Sequence, residues 1–251
     1  MLDFYYQLMA KLAIPMTRWH AYTLKHLEVA IVVVVLALAF AFLFAKTNVS
    51  RSGVITVFGV LLLFMEIVKQ CLLTYVRGSY SWSDFPWQLC SIPMYVCLFY
   101  PHLKKGRETA EHFLMVFGFL GAVMALIFPQ SSFYSYLLLT IQSLAWHGIL
   151  LMLSAYLMMS TSKARSVSAF RPVAALYLLT AAVAVLFNFL TADISKGDSN
   201  MFFLGPNPPA TYILSAIYAS YGWIVETVAM VLATLAAAFI VFFVSGVGKR
   251  H

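Results

Sequence analysis

Residues 27–45 read LEVAIVVVVLALAFAFLFA, an apolar run interrupted by a single charge near its start. Crossing roughly 30 Å of hydrocarbon takes about 20 helical residues, and this run supplies nearly that length. Working outward, six further runs qualify, some with help from their flanks: Gly53–Val76, Phe85–Tyr100, Phe113–Phe128, Phe133–Met158, Val173–Leu190 and Ala210–Val244. The third and fourth are short and begin in the interface, whereas the fifth and seventh are long enough to tilt or extend beyond the bilayer. None shows the ~10-residue alternation of a membrane barrel. The pattern predicts an all-α polytopic membrane protein, a seven-transmembrane-helix bundle over residues 27–251. Composition agrees: 63% of residues are apolar, 10% are charged and the mean hydropathy is +0.88. Soluble domains are about half apolar and a quarter charged, so water-soluble enzymes, disordered chains and secreted disulfide scaffolds are excluded.

Residues 1–26 do not read as a cleavable signal peptide, because the apolar run begins too late and no small-residue cleavage site follows. Phe4, Tyr5, Tyr6 and Trp19 mix with Lys11, Arg18 and Lys25, the texture of a segment lying along the membrane surface. Pro15 is expected to break it in two. The sixteen Lys and Arg against nine Asp and Glu give +7, and every basic residue but Lys69 falls outside the apolar runs. That pattern faces anionic lipid head groups and not nucleic acid, so membrane lipids are the expected partners. Five basic residues (Lys11, Arg18, Lys25, Arg77 and Lys196) fall on the N-terminal side against ten on the other. The positive-inside bias therefore places the N-terminus outside and the C-terminus in the cytoplasm. The first span alone argues the other way, with three basic residues outside against two inside. Cys71, Cys90 and Cys97 are odd in number and lie in or beside apolar runs, so disulfides are not expected. No metal or nucleotide motif occurs, and no cofactor is implied.

Ionisable groups inside spans are costly and are candidate functional residues by default. Glu66, Lys69 and Gln70 are three and four residues apart and share one helical face, either as a self-neutralising ion pair or as part of a site. Pro86 suits a first helical turn, and Pro93 inside the third span is expected to kink it beside Cys90. Cys90 is then a small buried hydrophobe or an exposed thiol; Cys97 reads as packing. Gln142 and His147 lie in the fifth span, and Glu226 lies deep in the seventh. Gly118 and Ala122 form a small-xxx-small pair for close helix packing. The loop Thr191–Pro209 passes from polar turn residues to Met201-Phe202-Phe203-Leu204, which suits a cavity lid or an aromatic interface anchor. Counting depth at ~1.5 Å per residue, Cys90, Gln70, Glu66, His147 and Glu226 are placed to line one cavity. His147 stands roughly 13 Å further along its helix than Cys90 does, a mismatch that tilt must absorb.

Together these residues resemble the YwaF-like family of integral membrane proteins, which is related to a mammalian transmembrane phospholipid acyltransferase. The resemblance rests on Glu66, on Pro86-Trp87-Gln88-Leu89-Cys90 against a Pro-x-His-Leu-Cys signature, and on Gln142, His147 and Gly148 followed by Tyr156. It extends through Asn188-Phe189-Leu190, Asn200-Met201-Phe202-Phe203-Leu204 with Pro206 and Pro208, and Glu226. Gln88 departs from the histidine frequent in the family. The resemblance implies a seven-helix fold and acyl transfer on phospholipids through a cysteine and a histidine. In that reading Cys90 is the nucleophile and His147 its base. Glu66 or Glu226 orients the imidazole, Gln88 or Asn200 donates to an acyl oxyanion, and Lys69, Gln70, Gln142 and Asn188 complete the lining. In the alternative, the same residues bind or transport an amphipathic ligand or proton without covalent chemistry. In a third reading the chain is a structural subunit with Gly118 and Ala122 at a partner interface.

Overall fold

A computed structural model describes residues 2–161, 165–206 and 212–247. Helix α1 (Leu2–Leu12) ends three residues before Pro15, as the missing amide proton of proline requires. The irregular stretch that follows is held by Met16 N donating to Ser135 O (2.9 Å) and Leu137 N donating to Ile14 O (2.9 Å). Six helices are long and apolar enough to cross a membrane. They are α2 (Leu24–Lys46), α3 (Arg51–Arg77), α5 (Arg107–Ile127), α6 (Leu137–Ser160), α7 (Val167–Thr191) and α8 (Tyr212–Val244), with the short α4 (Ile92–Phe99) between α3 and α5.

The expected third span is therefore corrected. Residues Trp82–Asp84 form a 3-10 turn, the backbone stays non-helical to Ser91, and α4 has only eight residues before a second 3-10 turn at Tyr100–His102. Pro93 does not kink a helix but stands in the first turn of α4, where proline has no bond to lose. The stretch still runs from one face of the bundle to the other. Gln88 Oε1 accepts from Phe202 N (2.8 Å) beyond the end of α7. Tyr100 OH donates to Glu111 Oε1 (2.6 Å) in the opening turns of α5. Eight helical residues cover about 12 Å, and the turns before Ile92 and the 3-10 turn at Tyr100–His102 supply the rest. An irregular crossing is tolerated only when protein satisfies its polar backbone. Here the Trp146 indole donates to Cys90 O (3.1 Å), and Ser91 N and Ile92 N turn back onto Gln88 O.

Helices α5 and α6 are the most enclosed spans, while α2 and α8 show most of their surface to the outside. Small residues set the close approaches. A Cβ on Gly118 of α5 would stand 2.7 Å from Ser154 Oγ of α6, and one on Gly59 of α3 would stand 2.7 Å from the Cys97 Cβ of α4. At one face Arg51 ties three helices, donating to Glu111 Oε2 (2.8 Å) and to Ser160 O (2.8 Å). Ser245, at the end of α8, meets Met115 on that face. Tyr5 of α1 donates to Cys71 O in the last turns of α3, at the opposite face. The first and last described helices thus end on opposite faces. Helix α8 is not continuous: Gly222 has φ 80° and ψ 171° and divides it. Cys71, Cys90 and Cys97 are all free.

Candidate functional site

The i, i+3 and i, i+4 spacing on α3 delivers the expected cluster. Lys69 Nζ lies 2.8 Å from Glu66 Oε2, and Gln70 Nε2 donates to Glu66 Oε1 (2.6 Å). The same Gln70 nitrogen also lies within donating distance of Asp84 O (2.6 Å), joining α3 to the stretch that leads into Cys90. Arg77 pairs with the Asp84 carboxylate on the same stretch. Glu66 is 4% exposed, so its charge is neutralised by Lys69 and not by water.

Cys90 sits where three helices meet. Gly121 of α5 leaves room for it, since a Cβ there would come within 3.3 Å of the Cys90 Cα and Cβ. Trp146 of α6 holds its carbonyl, and Lys69 of α3 lies 5.9 Å from the centroid of that same indole. Trp146 therefore bridges the thiol's backbone and the ion pair. It escaped the sequence reading, although it stands one turn after Gln142 on the same helical face.

The bond to Trp146 sets Cys90 beside this part of α6, and the late start of the helix accounts for about 6 Å of the depth mismatch expected between Cys90 and His147. Helix α6 starts at Leu137, four residues later than the apolar run at Phe133 suggested, so its register is shifted toward Cys90. His147 is buried, and its Nδ1 lies 2.7 Å from Ser143 O. A carbonyl only accepts, so Nδ1 carries the proton and Nε2 is left as the basic nitrogen. His147 follows Trp146 by about 100° around the helix, and among the described residues no hydrogen bond joins it to Cys90. Gln142 is buried one turn before Trp146.

The remaining amides hold the loop that follows α7. Asn188 Oδ1 accepts from Met201 N (2.6 Å) while its Nδ2 donates to Met201 O (3.0 Å). Gln88 Nε2 donates to Asn200 O (3.2 Å), and Asn200 Oδ1 accepts from Gly205 N (2.8 Å). These bonds support Phe202 and Phe203 at φ 58° and 59°, a left-handed backbone unusual for bulky residues. Gln88, Asn188 and Asn200 thus clamp a loop over the mouth of the broken crossing.

Glu226 lies elsewhere. Helix α8 packs on α5 and α7, and Glu226 is fully buried, with neither carboxylate oxygen hydrogen-bonded among the described residues. An apolar hollow of about 300 Å³ between α2, α3 and α6 includes Phe40, Phe44, Phe58, Leu144 and Gly148 in its lining; Cys90 and His147 are not part of it.

Neither a curated protein nor a solved structure matches the chain. The model of the TMEM164 family matches residues 18–244, from the stretch after α1 to the last residue of α8. With the apolar helices that carry the bundle, this match shows that the chain is a multi-pass membrane protein belonging to the TMEM164 family.

Proposed function

We propose that the protein transfers an acyl chain between membrane lipids, with Cys90 as nucleophile and His147 as general base. The observation that carries this reading is the Trp146 bond to Cys90 O, which sets a free cysteine beside the turn of α6 bearing a histidine whose Nε2 is unprotonated. In the first step Cys90 gives its proton to His147 Nε2, and sulfur attacks the ester carbon of a phospholipid. The ester C–O bond breaks, and the departing lysolipid oxygen takes the proton from His147. In the second step the hydroxyl of another lysolipid gives its proton to His147 and attacks the thioester, and the cysteine sulfur leaves and recovers the proton. No oxidant or reductant is needed. Catalytic hydrogen bonds commonly tighten only when substrate is bound, so the lipid carbonyl is expected to draw Nε2 and the thiol together. Lys69, paired with Glu66, completes the lining of the site. The YwaF-like resemblance supports the same chemistry and a bacterial cytoplasmic membrane, and the excess of basic residues on the Arg51 face supports an orientation with that face inward.

The test is lipid profiling of cells expressing wild type, Cys90→Ala, Cys90→Ser and His147→Ala at matched protein levels. Acyl-chain remodelling is expected to fall by about 10² or more in each variant, the scale of a lost acid–base or nucleophilic group. Unchanged remodelling in Cys90→Ser overturns the covalent step. A second reading, in which the bundle handles a proton or amphipathic ligand, is favoured by the buried Glu226, whose carboxylate has no hydrogen-bond partner among the described residues. It expects a phenotype in Glu226→Gln with Cys90→Ser unaffected. The structural-subunit reading needs Gly118 and Ala122 at an outside interface, whereas both are buried within this chain.

A further inference from the structure

The stretch between α1 and α2 makes a hollow of about 650 Å³ that the acyl-transfer reading does not use. Its rim carries Thr17, Arg18, Trp19, His20, Thr23 and Lys25, and Leu137 and Met16 complete the lining. The volume falls within the usual range for small-molecule sites.

Three features make this hollow a built one. Its backbone is held although it is not helical, by the Met16 and Leu137 bonds to the start of α6 and by Trp19 meeting the Phe133 ring edge-on at 5.7 Å. Below it, His26 Nε2 reaches Leu126 O at 2.8 Å, tying the start of α2 to the end of α5. The charges are also of one sign: Arg18 and Lys25 line the hollow and no carboxylate does. Lys25 Nζ stands 4.4 Å from the Trp19 ring centroid, while Glu28, one turn further along α2, is the acid adjacent in sequence. Finally, the floor is apolar and leads onto α2, whose Leu27, Ile31 and Val35 are exposed along the outside of the bundle.

We infer that this hollow binds the phosphodiester head group of an anionic phospholipid. Arg18, one nitrogen of which donates to Gln130 O, and Lys25 face the phosphate, the Thr17 hydroxyl is available to donate, and the acyl chains run down the outside of α2. Charge complementarity selects an anionic over a zwitterionic head group, and the apolar floor selects a lipid over free phosphate. The inference does not rest on acyl transfer and concerns different residues.

The experiment purifies the full chain into nanodiscs of mixed phosphatidylglycerol and phosphatidylcholine and counts retained lipids by native mass spectrometry. Wild type is expected to retain phosphatidylglycerol preferentially. Arg18→Ala with Lys25→Ala is expected to lose that preference by about thirty-fold, the combined effect of two cations near a lipid surface. Lys104→Ala with Lys105→Ala, at the far face, is expected to keep it. Lys25→Gln alone, read beside its melting temperature, gives an intermediate loss in a folded protein. Equal retention of both lipids by wild type, or unchanged preference in folded Lys25→Gln and the Arg18/Lys25 double variant, overturns the inference. Displacement of the bound lipid by excess inorganic phosphate overturns the choice of a lipid over a free anion.

Discussion

Gln88 makes the sharpest contrast between what a side chain suggests and where it points. As an amide beside a cysteine it invites a role as oxyanion donor, yet its Oε1 and Nε2 both hold the loop after α7. Gln88→Leu is expected to cost about 1–3 kcal/mol, because it leaves the Phe202 amide without its acceptor in a partly buried place. Hydrogen exchange at Phe202, read beside the unfolding midpoint, checks this; protection equal to wild type would mean the clamp does not hold the loop. The partnership of Glu66, Lys69 and Gln70 was legible beforehand, since local helical spacing brings those groups together. Gln88, Asn188 and Asn200 were not, because a side chain bonding backbone far along the chain leaves no periodic trace. Trp146 was hidden for another reason: in a chain with 16% aromatic residues, one more indole on a buried helix carries no distinguishing mark.

Helices were legible in proportion to their regularity. Five of the apolar runs became helices, with starts two to six residues from those expected, because in lipid the helix is the open-chain form that satisfies every backbone group internally. The two departures each have a local cause. Pro86 and Pro93 flank a stretch where protein supplies the backbone partners that a helix would otherwise provide, and a hydropathy window cannot register such partners. In α8, Gly222 adopts a backbone region essentially reserved for glycine, and a Cβ there would meet nothing within 4 Å. Gly222→Ala therefore isolates the backbone term from any clash. It is expected to lower stability by about 1–3 kcal/mol or to straighten α8. Denaturation midpoints measure the first outcome and a changed cross-linking register between α7 and α8 the second; an unaltered protein by both measures would argue against the break.

The bundle as a unit follows from the order of its crossings. Arg51, Glu111, Tyr100 and Ser160 gather at one face, and Gln88, Asn200, Asp84 and Arg77 at the other. Ser79 and Lys105, both exposed, flank the broken crossing on opposite sides. In a background lacking the native cysteines, Ser79→Cys and Lys105→Cys are expected to react with a membrane-impermeant maleimide from opposite sides of sealed vesicles. Labelling of both from one side would show that residues 80–104 turn back without crossing. Basic-residue counts predicted two opposed faces, but they say nothing about how a chain with only eight helical residues passes between them.

That third crossing carries a consequence for biogenesis. Its helix is too short to partition out of the translocon on its own merit, and its hydrogen-bond partners on α6 and beyond α7 have not yet been synthesised when it emerges from the ribosome. Its final packing therefore awaits Trp146 and the loop after α7, the later parts of the polypeptide that hold the segment bearing Cys90.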